Sequence, residues 1–423
     1  MSEADEESTA DWRYAHTDTL DGALQRGRGE GVLMAMRDPA AAPAAVYACI
    51  RRDHRWYWAF DDRPDYLARL VRDLDLDPAP IGDQLRHAPD DLRQDRDNFF
   101  ELATEVLAAL GRGGDRRSVA ILRAYLTDGP HWLDVLRAVD EWPVELWADL
   151  DQLCLSRLSE AEEYELSWAC PRMTAHWAPQ HPRLAAAARR LAERVPARPA
   201  ALPTGHSTDE LIMMATDPQV TRVDQRRALR ALLRAGVPDP DLIDLIEGGL
   251  HPSLLGTALR DPGAAVVERA RTWTIDRGAE LFWHGSLLLA GHSTAVDLPR
   301  LLDAWQWRWD SDDWCGFDRL ADGFTRLGPA AAAALPALMR TWRWTPHSIE
   351  RAAMLRAMLS VDPVGAERVL TPALLDCEPD VRELAASRVA PRPRAVTLLA
   401  RLRDDPLETA EVRAAAAGRT TPA

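Results

Sequence analysis

The sequence predicts an all-α protein, and more specifically an α-solenoid of stacked antiparallel helix pairs. Three observations lead to this prediction. Similar segments recur at a fixed spacing, which is typical of repeat architectures. Within those segments the apolar residues follow the period of an amphipathic helix. Finally, a chain of 423 residues is long for one globular core, which favours several domains or one repeat array.

The clearest repeat aligns AGHSTAVDLPRLLDAWQW (290–307) with LGPAAAAALPALMRTWRW (327–344) without a gap. Trp305 matches Trp342 in this alignment, and the leucines and prolines keep the same offset of 37 residues. A second amphipathic segment follows each copy, CGFDRLADGFTRL after the first and SIERAAMLRAML after the second. Two helices within one repeat of this length predict stacked helix pairs that share a continuous core.

A looser third copy follows in VDPVGAERVLTPALLDCEPD, where Pro363 and Pro372 take the places of Pro329 and Pro336. The succession of LGPAAAAALPAL, a turn and a helix that opens like EPDVRELAA resembles HEAT repeats. In that family the first helix often contains a proline, and the second often opens with Asp and Val-Arg. The resemblance implies a fold, and it implies no particular activity.

The resemblance to HEAT repeats is good over about 285–390, fair over about 210–285 and weak before 200. Helix pairs can still be followed in the weak part, for example NFFELATEVLAAL with SVAILRAYL. The Asp and Arg of the second helix occur together at Asp380 and Arg382. The resemblance therefore predicts about ten helical pairs in all.

Proline marks the predicted division of the chain. The stretch ERVPARPAALPTGHSTDE interrupts the helical pattern, because proline removes an amide donor and clashes inside a helix. The predicted organisation is a flexible acidic N-terminus (1–10), an N-terminal helical-repeat half (11–195), a Pro-rich linker or kink (196–207), a C-terminal HEAT-like half (208–414) and a flexible tail (415–423).

The tryptophans of the repeat divide into two classes. Trp305 and Trp342 continue the apolar stripe of their helices, so we expect them in the core. Trp307 and Trp344 lie two residues further, about 200° around the helix, and leave that stripe. They are predicted to form an aromatic ledge with nearby carboxylates, which would attract a cation. The predicted partner-binding residues here are Trp307, Trp344, Asp310, Asp312, Asp313 and Trp314. The alternative is that both indoles fold over the helix ends and cap the inter-helix turns.

A similar cluster occurs in RRDHRWYWAFDDRPDYLARL, near the other end of the chain. Trp58, Asp61 and Asp62 are predicted to belong to the partner-binding residues, with capping of a repeat as the alternative. Other tryptophans lie in helical patterns and are predicted to be core residues. This last group comprises Trp132, Trp142, Trp147 and Trp168.

Charge restricts the class of partner. Acidic residues outnumber basic residues by 66 to 51, which gives a formal net charge of −15. This balance disfavours nucleic acid, because a nucleic-acid-binding protein normally presents a basic face. The expected partner is another protein or a cationic, Arg-rich segment. We predict no cofactor and no metal site, because the five cysteines are scattered without a CxxC pair and the histidine spacing matches no metal signature.

These observations predict a non-enzymatic protein–protein interaction scaffold or adaptor. The sequence contains no GxSxG, P-loop or HExxH motif. The alternative is an enzyme, since one branch of HEAT-like proteins excises alkylated bases from DNA with tryptophans and an aspartate on its concave surface. The Trp-Asp juxtapositions at 309–310 and 58–61 are the residues that carry this second resemblance. The acidic balance opposes it, because binding phosphates requires cations.

A cytoplasmic location is expected. The start, MSEADEESTADW, is acidic where a secretory signal would be basic and then apolar. No stretch approaches the roughly 20 apolar residues of a membrane span, so we predict no membrane association. Scattered cysteines are typical of buried thiols in a reducing compartment.

Overall fold

The computed structural model describes residues 14–194 and 206–420. Every regular element in these two stretches is helical, and they contain no β-strand. The prediction of an all-α protein is therefore confirmed. The tryptophans of the 37-residue repeat lie on α-helices.

The first described stretch is a succession of short helices. In chain order, its α-helices are α1 (Leu20–Gln25), α2 (Gly29–Arg37), α3 (Ala42–Arg51), α4 (Arg63–Asp73), α5 (Ala79–Leu85), α6 (Phe99–Arg112), α7 (Arg116–Asp128), α8 (Trp132–Val139), α9 (Asp151–Arg157), α10 (Glu160–Ala169), α11 (Pro171–Trp177) and α12 (Pro182–Arg194). Its 3₁₀-helices are Trp58–Phe60, Leu92–Gln94, Val144–Leu146 and Ala148–Leu150.

The second described stretch continues in the same way. Its α-helices are α13 (Thr208–Thr216), α14 (Arg222–Ala235), α15 (Asp239–Glu247), α16 (Pro252–Ala258), α17 (Ala264–Trp273), α18 (Phe282–His292), α19 (Leu298–Asp310), α20 (Phe317–Leu327), α21 (Leu335–Trp344), α22 (Arg351–Val361), α23 (Pro363–Ala373), α24 (Pro379–Arg388), α25 (Pro393–Asp404) and α26 (Ala410–Thr420). Its 3₁₀-helices are Ala295–Asp297, Gly328–Ala334 and Ser348–Glu350.

Local sequence explains where several helices begin and end. Ser207 caps the start of α13 together with Glu210, each accepting a hydrogen bond from the backbone amide of the other. Helix α14 ends at Gly236, whose φ of +75° is easily adopted only by glycine. The predicted linker 196–207 lies outside the described residues except for its last two positions. Helix α26 runs through residues 415–420, which the sequence prediction assigned to the tail.

The chain divides into two compact units. Among the described residues, unit 1 contains 14–194, 343–352 and 367–420, and unit 2 contains 206–342 and 353–366. Each unit has its own buried apolar residues.

In unit 2, helices pack mainly on the next helix and on the next but one. Helix α13 packs on α14, α14 on α16, α15 on α17, and α18 on both α19 and α20. The core prediction for two tryptophans is confirmed, because Trp305 and Trp342 are both buried. The indole of Trp305 packs against Phe317 and Phe324, with ring centroids 4.7 and 5.4 Å away.

In unit 1, three of the four predicted core tryptophans are buried. Trp132, Trp142 and Trp147 are almost fully covered. The prediction for Trp168 is wrong, because 65% of this residue is exposed. Helix α10 buries Leu166, and a residue two positions later is rotated by about 200° to the opposite side.

Unit 1 also joins segments from distant parts of the chain. The Nε of Arg26 donates a hydrogen bond to the carbonyl of Trp344 (2.9 Å), 318 positions away. The amide of Cys377 donates to the carbonyl of Gly27 at 2.8 Å. Gly27 has φ +66°, and a Cβ there would clash with the Sγ of Cys377, so this contact requires glycine. An α-solenoid is expected to form contacts between neighbouring repeats. These two hydrogen bonds join residues that are far apart in the chain, so the solenoid prediction does not account for them.

Buried ion pairs connect the same segments. The pairs are Arg63 with Asp61, Arg351 with Asp376, and Arg382 with Glu408, and all six side chains are at most 3% exposed. The Nη2 of Arg351 lies 2.6 Å from Asp376 Oδ1, and its Nη1 donates to the carbonyl of Arg26 at 2.9 Å. A buried charge without its partner costs several kcal/mol. This network therefore favours one arrangement of the unit 1 segments over others.

Helix length and polarity bear on the prediction that the chain contains no membrane span. No helix in the described part of the chain is both long enough and apolar enough to span a membrane.

Candidate functional site

The predicted aromatic ledge divides between the two units. Trp307 belongs to unit 2, where its ring lies 5.3 Å from Phe282 and 5.6 Å from Trp283. Trp344 belongs to unit 1, is 36% exposed and contacts the ring of His16 edge-on at 5.3 Å. Trp307 is thus half-buried by aromatic residues of α18.

Two of the three acidic residues that follow Trp307, Asp310 and Asp313, are already engaged within unit 2. Asp313 accepts from the Nη2 of Arg308 at 2.8 Å and from the amide of Cys315 at 3.0 Å. Asp310 accepts from the side-chain amide of Gln306 at 2.6 Å. Asp312 is exposed and adopts a left-handed conformation with φ +52°, which ends the helical stretch.

Arginines of the same chain occupy the indole faces in this region. The guanidinium of Arg308 lies 4.5 Å from the centre of the Trp283 ring. The guanidinium of Arg340 lies 4.1 Å from the centre of the Trp309 ring, and Trp314 contacts Trp309 edge-on at 5.2 Å. At these two indole faces, the cation that was expected from a partner is therefore supplied by arginines of unit 2.

The second predicted cluster lies beside a cavity of about 770 Å³ in unit 1, which we call the unit 1 groove. One wall is the segment 58–65, which carries Trp58, Asp61 and Asp62. Helix α6 lines the groove with Glu101, Thr104 and Glu105. Helix α8 and the residues that follow it line another side. All three predicted residues of this cluster border the groove.

Among the charged residues that line the unit 1 groove, carboxylates outnumber arginines. Three arginines line it, namely Arg55, Arg112 and Arg137. Eight acidic residues line it, namely Asp61, Asp62, Asp65, Asp95, Glu101, Glu105, Asp134 and Glu141. With every group ionised, the groove carries a strong negative potential, which attracts cations.

Some of these carboxylates are neutralised within unit 1. Asp61 is buried, pairs with Arg63 and accepts from the hydroxyl of Ser348 at 2.8 Å. Asp65 accepts from Arg112 at 2.7 Å. The sequence prediction treated Asp61 as a partner-binding residue, whereas its carboxylate is used to hold unit 1 together.

Two other carboxylates of the groove remain available to a partner. In residues 14–194 and 206–420, the carboxylates of Asp62 and Glu101 form no hydrogen bond and no ion pair. Burial, aided by the charge of Asp65, raises the pKa of Asp62 to about 6. Burial also raises the pKa of Glu105 to about 7, although Arg55 lowers it. Asp62 and Glu105 therefore change charge near neutral pH.

Exposed aromatic rings stand at the edge of the groove. Trp58 and Phe60 are 58% and 65% exposed, and Tyr57 stacks on Phe60 at 5.2 Å. Arg55 holds this segment in place. Its Nη1 donates to the carbonyl of Trp58 at 3.3 Å and to Glu105 Oε2 at 2.7 Å. Large exposed aromatic residues beside charged groups are typical of binding surfaces.

The sequence predictions included no residue on the α6 side of the groove. Glu101, Thr104 and Glu105 lie at positions i, i+3 and i+4 of one helix face. Their spacing is visible in the sequence, but any solvated helix face has the same pattern. What distinguishes this face from a solvated one is that it lines the same cavity as the segment 58–65.

Two further observations concern metal ligands and similarity to known proteins. No group of three or more His, Cys, Asp and Glu residues in the described stretches is arranged to hold a metal ion. Comparison with protein-family models, with curated proteins and with solved structures gives no match.

Proposed function

We propose that this chain is a non-enzymatic binding protein whose unit 1 groove binds a positively charged segment of another protein. The observation that supports this most directly is the lining of the groove, where eight carboxylates face three arginines beside exposed aromatic rings. Complementary charge steers such partners together and selects among them. Exposed aromatic side chains supply the anchoring contacts.

We also propose that the helices form a HEAT-like α-solenoid. Two observations support this architecture. The gapless repeat of 37 residues predicts a unit of two helices. In unit 2, α14 packs on α16 and α15 packs on α17, as expected when equivalent helices of neighbouring pairs stack.

The unit 1 groove has stronger support as the binding site than the cluster around Trp307. In that cluster Arg308 and Arg340 cover indole faces, and Asp313 is paired with Arg308. A partner would have to displace these intramolecular contacts. In the groove, Asp62 and Glu101 offer unpaired carboxylates, which a partner can neutralise without displacing an arginine.

Binding of a cationic peptide tests this proposal. We expect fluorescein-labelled octa-lysine and octa-arginine to bind in a fluorescence anisotropy titration, and octa-glutamate not to bind. The substitutions Trp58→Ala and Glu101→Gln should each weaken binding by about tenfold, because each removes an anchor or a charge in the groove. The matched control is Trp168→Ala, which removes an exposed indole that does not line the groove and should leave affinity unchanged.

The proposal would be contradicted by peptides that bind equally well to the wild type and to Trp58→Ala. It would also be contradicted by tight binding of duplex DNA with release of alkylated bases, which is the outcome that the glycosylase alternative requires.

The affinity for octa-lysine should fall by about tenfold between pH 8 and pH 5.5. Asp62 has a pKa of about 6 and Glu105 a pKa of about 7, so both carboxylates are ionised at pH 8. Both become protonated as the pH falls through these values, and the attraction for a cation is lost. The same titration repeated at each pH measures this effect. Asp62→Asn should show a flatter profile, and a profile identical to that of the wild type would contradict the assignment.

A further inference from the structure

We propose that the unit 1 groove contains a subsite for the guanidinium group of an arginine side chain, in which the hydroxyl of Thr104 accepts a hydrogen bond between the carboxylates of Glu101 and Glu105. The inference rests on the proposed function, because it specifies which cationic side chain the groove prefers. The occupant is an arginine-bearing segment of another protein.

The hydroxyl of Thr104 is the first observation. Thr104 is 3% exposed and lines the groove, yet its Oγ1 has no hydrogen-bond partner among the described residues. Threonines on other helices of this chain donate to the carbonyl four residues earlier, as Thr127 does to Arg123 and Thr325 does to Ala321. A buried polar atom without a partner is costly, and a ligand that supplies the hydrogen bond removes this cost.

The acceptors that line the groove together with Thr104 match a guanidinium group. Glu101 and Glu105 are four residues apart on α6, so they flank Thr104 on one helix face. Asp62 adds an unpaired carboxylate from the segment 58–65. A guanidinium has five N–H donors in one plane, whereas an ammonium has three donors around a point. Several acceptors on different elements therefore favour arginine over lysine.

Unit 2 contains an arginine of this chain that is held by an indole and a carboxylate together. The guanidinium of Arg308 lies 4.5 Å from the centre of the Trp283 ring and pairs with Asp313 at 2.8 Å. An indole and a carboxylate thus hold one guanidinium between them. In the unit 1 groove, the exposed indole of Trp58 and the unpaired carboxylate of Asp62 offer this combination without an intramolecular arginine pairing with Asp62.

Thr104→Val tests the subsite, because valine has the shape of threonine and lacks the hydroxyl. The probes are octa-arginine and octa-lysine of equal charge, each titrated by fluorescence anisotropy. We expect wild-type protein to bind octa-arginine about tenfold more tightly, and Thr104→Val to reduce this preference to about twofold. Thr104→Ser should restore it. The matched control is Thr127→Val, an exposed helical threonine outside the groove, which should keep the wild-type preference.

The outcomes separate this inference from the proposed function. If both peptides bind and Thr104→Val keeps the wild-type preference, the guanidinium subsite is wrong and the proposed function stands. If neither peptide binds, both are wrong. Thermal unfolding of each variant shows that it is folded before it is titrated.

Sedimentation velocity tests whether a second copy of the chain is the occupant of the groove. A dimer that Trp58→Ala dissociates would mean that a second copy fills the groove, and this result would overturn the inference.

Discussion

Replacing Arg351 with methionine should lower the free energy of unfolding by about 4 kcal/mol, because it leaves the carboxylate of Asp376 buried without its cation. Arg351 is completely buried, and two of its nitrogens contact Asp376 at 2.6 and 3.1 Å. Its third nitrogen donates to the carbonyl of Arg26, so the substitution also removes a bond between segments 325 positions apart. Urea-induced unfolding followed by tryptophan fluorescence measures the change.

Two further variants identify the cause. The double substitution Arg351→Met with Asp376→Asn should recover about half of the loss, because asparagine is neutral and can still accept from the amide of Glu378. The control is Arg392→Met, which breaks the ion pair of Arg392 with Glu367. The side chain of Arg392 is 71% exposed, so this substitution should lower the free energy of unfolding by less than about 1 kcal/mol. Equal losses in the single and double variants would show that lost packing, and not the unpaired charge, is responsible.

The pH dependence gives an independent check of the same cause. Burial raises the pKa of Asp376 in the folded protein, and Arg351 opposes this rise. Without Arg351 the folded-state pKa rises further above its unfolded value, so the folded variant holds a proton that the unfolded chain releases. A group whose pKa is raised on folding stabilises the protein at low pH, and this contribution is lost as the pH rises toward the folded-state pKa. The stability difference between Arg351→Met and the wild type should therefore be largest at pH 8 and become smaller toward pH 4.

The all-α class and the buried tryptophans could be predicted from the sequence because both depend on local periodicity. Trp305 and Trp342 continue the apolar stripe of their own helices, and both are buried. In α10 the same rule places Trp168 on the opposite face from Leu166, in agreement with its exposure. The side of a helix on which a residue lies depends only on its spacing from a few neighbouring residues, and this spacing can be read from the sequence.

The contacts within unit 1 depend on residues that are far apart in the chain. The ion pair of Arg72 with Asp405 joins positions 333 apart, and no local pattern indicates that these two residues meet. Asp61 illustrates the consequence. Beside Trp58 it has the sequence pattern of a binding residue, but Arg63 and Ser348 engage its carboxylate in the interior of unit 1.

The candidate site could be predicted only on one side for the same reason. Trp58 and Asp62 could be predicted because a cluster of tryptophan and aspartate is a local pattern that is visible in the sequence. Thr104 lies on an ordinary amphipathic helix, and its importance depends on a hydroxyl that finds no partner after packing. A missing hydrogen bond is a property of the folded unit and leaves no signature in the sequence.

Trp305→Ala should lower the free energy of unfolding by about 3–5 kcal/mol, whereas Trp307→Ala on the same helix should lower it by only about 1–2 kcal/mol. Trp305 is fully buried against Phe317 and Phe324, and its Nε1 donates to the hydroxyl of Thr341 at 3.0 Å. Alanine would leave a cavity and a buried hydroxyl without its partner. Trp307 is half-buried, so its loss removes less contact area.

Urea unfolding of the two variants measures this difference, and Trp305→Phe separates its two components. Phenylalanine keeps most of the packing but cannot donate to Thr341, so its cost should lie between those of the wild type and Trp305→Ala. The helical stripe makes Trp305 a core residue and Trp307 a residue at the margin of the core. If Trp307→Ala unfolds as early as Trp305→Ala, then the aromatic contacts of Trp307 with Phe282 and Trp283 are as important to unit 2 as the core itself, and the distinction between the two tryptophans is wrong.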